Sequence, residues 1–89
     1  MNSNENWELR IDQKVYRELY KFPKKDAVRI TDVLEDKSFD PYDGDIEKIK
    51  GEENIWRRRI GSYRVFYEIN QSERSVDVFW VERRTSSTY

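Results

Sequence analysis

Residues 55–70 read IWRRRIGSYRVFYEIN, two alternating runs separated by Gly61 and Ser62. Glycine at the first central position of a two-residue connection suits a type II′ hairpin, because that position needs a positive φ. With Ile60 and Tyr63 opposed across the turn, Arg59 falls opposite Arg64, Arg58 opposite Val65, and Arg57 opposite Phe66. Side chains alternate between the faces of a strand. Trp56, Ile60, Tyr63, Val65, Tyr67 and Ile69 are therefore expected on one face, and Arg57, Arg59, Arg64, Phe66 and Glu68 on the other. Carried across the next turn, the same alternation adds Val76, Val78 and Trp80 to the first face, and Phe79, Val81 and Arg83 to the second. Arg58 lands on the apolar face, so its guanidinium must snorkel to an edge.

Upstream of this hairpin the period is different. Trp7, Leu9 and Ile11 alternate with Glu8, Arg10 and Asp12, which predicts a half-buried first strand. Asp12 suits a helix N-cap, and Val15, Leu19 and Phe22 then recur at helical spacing until Pro23 interrupts. From Lys24, the pattern Ala27, Ile30, Val33 and Leu34 predicts a second amphipathic helix to about Lys37. A loop over Ser38–Asp45 carries the breakers Pro41 and Gly44. Alternation resumes through Ile46 and Ile49, then Ile55–Ile60, Tyr63–Asn70 and Val76–Val81, with a longer turn over Gln71–Arg74. Strand, helix, helix, then a run of strands predicts an α+β domain. Its two N-terminal helices should pack on one face of a mainly antiparallel four- to five-stranded sheet.

The bulk numbers fit one domain over residues 1–89. Charged residues make up 39% of the chain and mean hydropathy is -1.07, so the core has to lean on the aromatics, Trp 3, Tyr 6 and Phe 4. With no cysteine, disulfides, thiolate catalysis and cysteine-held metals are excluded. With no histidine, any acid–base chemistry falls to Tyr, Lys, Arg or carboxylates. The start, MNSNENWELR, has no apolar leader and no stretch is long enough to span a membrane, which predicts a cytosolic, cytoplasmic protein with no membrane partner. Net charge is only -1, but it is unevenly spread. Residues 1–47 hold 8 basic and 12 acidic side chains (8 − 12 = −4), and residues 48–89 hold 9 and 6 (9 − 6 = +3), so the second half is the candidate for phosphate contact.

Like charges directly opposed on a sheet destabilise it by some tenths of a kcal/mol. The Arg59–Arg64 pair therefore needs a reason. Either Glu68, Glu82 or a loop carboxylate neutralises it, or the arginines form an anion site, since guanidinium forks hold phosphate oxygens bidentately. Phenylalanines among them would offer stacking platforms for bases.

The stretch WRRRIGSYRVFYEI resembles the central signature of the RelE/ParE toxin superfamily; DIEKIKG is similar to its preceding strand, and VFWVERRTSSTY to its ending of apolar strand, basic cluster and tyrosine. The resemblance runs from Trp7 to Tyr89 and implies a RelE-like fold. It also implies the toxin of a type II toxin–antitoxin pair, a ribosome-dependent endoribonuclease that cuts mRNA without a metal or other cofactor. By position, Arg64, Arg83 and Tyr89 match the family's catalytic residues: Arg64 for charge on the phosphate, Arg83 for phosphate and leaving group, Tyr89 as base for the 2′-hydroxyl. Arg57 and Arg59 correspond to the basic residues of the preceding strand, and Arg84 and Phe66 complete the expected RNA-binding set. The implied partners are a RelB-like antitoxin, the ribosome and mRNA. Two other activities share this fold: a ParE-like inhibitor of DNA gyrase, and an inactive domain that only grips its antitoxin.

Overall fold

The computed structural model describes residues 7–83. Its elements run β1 (Glu8–Ile11), α1 (Gln13–Leu19), α2 (Lys24–Glu35), β2 (Ile46–Lys48), β3 (Ile55–Ile60), β4 (Tyr63–Asn70) and β5 (Ser75–Arg83). Five strands form one sheet in the order β1-β5-β4-β3-β2. The β2–β3, β3–β4 and β4–β5 pairs are antiparallel, and β1 runs parallel to β5. β1 and β2 thus lie at opposite edges, and the chain between them must cross a face of the sheet, which is where α1 and α2 lie.

The Asp12 carboxylate caps α1 by accepting from the Lys14 amide at 2.9 Å. Pro23 starts α2, where a missing N–H costs nothing. That helix stops at Glu35, short of the expected Lys37. The reason is local: Asp36 turns extended (ψ 133°) and its carboxylate takes both the amide and the hydroxyl of Ser38 at 2.7 Å. Val15, Leu19, Ile30 and Leu34 from the helices meet Val65, Tyr67, Ile69, Val76, Val78 and Val81 of the sheet in one buried cluster. Each such side chain contributes about 1.5–3 kcal/mol by leaving water. Among the described residues, no helix is long and apolar enough to cross a membrane.

The β3–β4 register is the one deduced from the turn, with Arg59 opposite Arg64 and Ile60 opposite Tyr63. Gly61 has φ +60° while Ser62 does not take a positive φ, the pattern of a type II′ turn. β5 departs from strict alternation. Phe66 pairs with Trp80 but Tyr67 pairs with Val78, so Phe79 is the extra residue of a β-bulge. Beyond it every side chain changes face. Val81 is fully buried in the core instead of lying on the open face, while Trp80 lies opposite Phe66 and leaves the core face.

Candidate functional site

The open face of β3 and β4 carries Arg57, Arg59 and Arg64 around a concavity of about 170 Å³, whose other lining residues are Asp45 and Glu47. β2 supplies Glu47 by its pairing, opposite Arg57, and Asp45 immediately precedes that strand. Arg57 is ion-paired with Glu47. Arg59 Nε donates to Asp45 Oδ2 at 2.9 Å, and the Arg59 amide donates to the Asp45 carbonyl at 2.8 Å. Arg64 lies 3.3 Å from Glu82, its cross-strand neighbour, yet its Nε is buried and makes no hydrogen bond. Arg64 is therefore the least satisfied of the three guanidiniums, and since it also lines the concavity, an anion entering there can hydrogen-bond to the guanidinium that Glu82 meets only as an ion pair.

Beside this cluster Phe66 and Phe79 face each other, ring centres 6.4 Å apart and planes 42° inclined. Both are half-buried, so each leaves ring surface open to a base. Of the counter-charges the sequence offers, Glu68, Glu82 or a loop carboxylate, Glu82 meets Arg64 and the loop residue Asp45 meets Arg59, while Glu47 of β2 joins them as an acid the sequence reading does not name. The signal for Glu47 is Asp45-Ile46-Glu47, where alternation puts both acids on one face of β2, the face of the arginines.

Arg83 does not share this face. The bulge at Phe79 rotates it to the helix side, opposite Tyr63, with its Cζ 5.6 Å from the centre of that ring. The expectation that Arg59, Arg64 and Arg83 converge on one exposed surface is thus corrected. Tyr63 donates its hydroxyl to Asp26 on α2 at 2.7 Å. Burial raises the Tyr63 pKa above the usual tyrosine value, and the Asp26 hydrogen bond adds to this, while Arg83 opposes it. Arg58 does snorkel as expected: its guanidinium lies 5.5 Å from the Phe39 ring centre, under Gly44. Arg84 and Tyr89 lie outside the described residues.

Far from the arginine cluster, Arg10 of β1 bonds to Asp77 at 2.9 Å and Ser75 at 2.6 Å, which ties the parallel pair together. This cluster is internally matched and has a structural role.

A family model described as the ParE toxin of the type II toxin–antitoxin system parDE matches residues 9–86. Among solved structures, the toxin–antitoxin complex RelBE2 from Mycobacterium tuberculosis contains a chain 22% identical, with a TM-score of 0.76 over 89% of this chain and 92% of that one. The archaeal RelE–RelB complex from Pyrococcus horikoshii gives 24% identity and a TM-score of 0.70, covering 92% and 99%. The isolated RelE toxin of Escherichia coli gives 18% and 0.59, covering 91% and 87%. No curated protein matches at the level of sequence.

Proposed function

Because the chain belongs to the ParE toxin family of type II toxin–antitoxin systems, we propose that it is a toxin whose arginine face grips an RNA phosphodiester, and that it cleaves mRNA on the ribosome, in the cytoplasm. The observation that carries this reading is the gathering of Arg57, Arg59 and Arg64 around one concavity beside the Phe66–Phe79 pair. A phosphate entering there takes over the guanidiniums now held by Asp45 and Glu47, and gives Arg64 a hydrogen-bonded anion where Glu82 meets it only as an ion pair at 3.3 Å.

In the proposed reaction the 2′-hydroxyl oxygen bonds to the adjacent phosphorus, the bond to the 5′-oxygen breaks, and a 2′,3′-cyclic phosphate and a 5′-hydroxyl result. The 2′ proton goes to a base and the departing oxygen takes a proton from water. Charge builds on the phosphoryl oxygens between these events, where fixed guanidiniums act most strongly. Arg64 fills that role, with Arg57 and Arg59 beside it; Tyr89 is the proposed base. A phenol can serve so only where cations favour its phenolate, because its unperturbed pKa is about 10. Arg83, now on the helix side, and Arg84 are assigned to holding RNA. A RelB-like antitoxin is the proposed partner, with acidic side chains able to cover the arginines as Asp45 and Glu47 do.

Programmed ribosomes test this. Mapped mRNA ends are expected to show cyclic-phosphate termini, and Arg64→Ala should slow cleavage about 100- to 1,000-fold. The displacement of Arg83 from the open face favours a second reading, a ParE-like poison of DNA gyrase. Intact mRNA together with blocked supercoiling would establish that reading instead.

A further inference from the structure

The open-face arginines already meet carboxylates, but two exposed arginines at the same end of the sheet do not. Among the described residues, neither Arg29 nor Arg83 makes an ion pair. We propose that Arg29 and Arg83 form a second phosphate-binding position on the helix side of the β3–β4 turn. A bound RNA strand then crosses Gly61 and Ser62, from the open-face concavity to the helix side. This inference rests on the RNA-directed reading above.

The geometry brings the two together from different elements. Arg29 projects from α2 onto the turn, where a Cβ built on Gly61 would lie 3.1 Å from its Nη1. Arg83 ends β5 opposite Tyr63, two residues beyond Gly61, with its guanidinium 5.6 Å from the Tyr63 ring centre. A guanidinium near an aromatic ring can keep N–H donors for an anion while the ring helps to fix its position. Two acids on α2 lie three residues from Arg29: Asp26 is taken up by the Tyr63 hydroxyl at 2.7 Å, and Asp32, like Asp26, makes no ion pair with Arg29. The crossing itself is narrow, because a two-residue turn of glycine and serine puts no bulky side chain between the faces. Arg59 and Arg64 adjoin this turn on the open side, so four guanidiniums border one end of the sheet, two on each face.

The test measures binding of a short 2′-O-methyl RNA, which cannot be cleaved, to the intact protein at several salt concentrations. Each phosphate contact to a single strand contributes about 0.7 to the slope of log affinity against log salt. Arg29→Ala should weaken binding several-fold and lower the slope by about 0.7, the double variant with Arg83→Ala by about twice that, and Arg29→Lys should keep most of the slope. Arg17→Ala, which removes an exposed arginine of α1, is the control and should leave affinity and slope unchanged. Thermal melts establish that each variant is folded. If Arg29→Ala binds like the parent while Arg64→Ala binds poorly, the second position is wrong and the RNA reading stands. Equal losses for Arg29→Ala and Arg17→Ala reduce the effect to overall charge and also overturn it. A parent protein that binds no RNA overturns the second position, while the programmed-ribosome assay decides separately the reading on which it rests.

Discussion

Asp45 shows how one side chain can serve the fold little and the site a great deal. Its ion pair with Arg59 is exposed, 61% for the acid and 45% for the arginine. Pairs of that kind contribute about 0–1 kcal/mol. The backbone bond from the Arg59 amide to the Asp45 carbonyl survives replacement of the side chain. Asp45→Asn is therefore expected to leave urea stability within about 0.5 kcal/mol of the parent, yet to tighten RNA binding, because Arg59 no longer has to exchange a carboxylate for a phosphate. A melt and a binding titration at fixed salt check both halves. Weaker RNA binding by Asp45→Asn would contradict the view that this acid competes with phosphate. Tyr67 is the opposite case, a fully buried phenol whose hydroxyl donates to the Pro41 carbonyl at 2.7 Å. Tyr67→Phe strands that carbonyl and is expected to cost about 1–3 kcal/mol, read from denaturant midpoints.

The β3–β4 turn concentrates its strain in one glycine. With φ +60° at Gly61, alanine is forced into a region that side chains rarely adopt, and Gly61→Ala should cost roughly 1–3 kcal/mol in urea unfolding. The Arg29 tip, 3.1 Å from the added methyl, can swing aside, so backbone strain is the larger effect. A change near zero would mean that the turn rearranges. This turn was legible because Gly61-Ser62 fixes both its type and the register, and with the register the placement of Arg57, Arg59 and Arg64. The helices were legible from the spacing of Val15, Leu19, Ile30 and Leu34 and from the Asp12 cap. β5 was not. Alternation assumes a period of two throughout, and the single inserted residue at Phe79 reverses every later assignment, which moved Val81 into the core and Arg83 to the helix side. The one local sign is the unbroken apolar run Val78-Phe79-Trp80-Val81, in which no polar residue marks the outward face. The parallel pairing of β1 with β5 leaves no local mark either, because its partners are 67 residues apart in the chain (75 − 8 = 67).

The same buried phenol links the core to the segment that ends at the site. Tyr67 holds Pro41, its ring meets Phe39 edge-on at 6.3 Å, and Arg58 lies over Phe39 beneath Gly44, next to Asp45. Burial pushes the Tyr67 pKa up to about 12, with Arg58 opposing and Asp40 adding to the rise. An unfolded tyrosine titrates near 10. Below pH 10 the hydroxyl is neutral in both states, and its native environment contributes in full. Between about 10 and 12 the unfolded chain loses the proton first, which favours unfolding, so stability falls as pH rises. The loss should reach about 2–3 kcal/mol by pH 12, at 1.36 kcal/mol per pKa unit. Tyr67→Phe should start lower but lack this added alkaline decline. Urea midpoints from pH 8 upward, with tyrosinate absorbance followed in parallel, compare the two slopes. If they are identical, the Tyr67 hydroxyl is not what fastens residues 36–45 to the sheet, and the arginine site keeps its shape by other contacts.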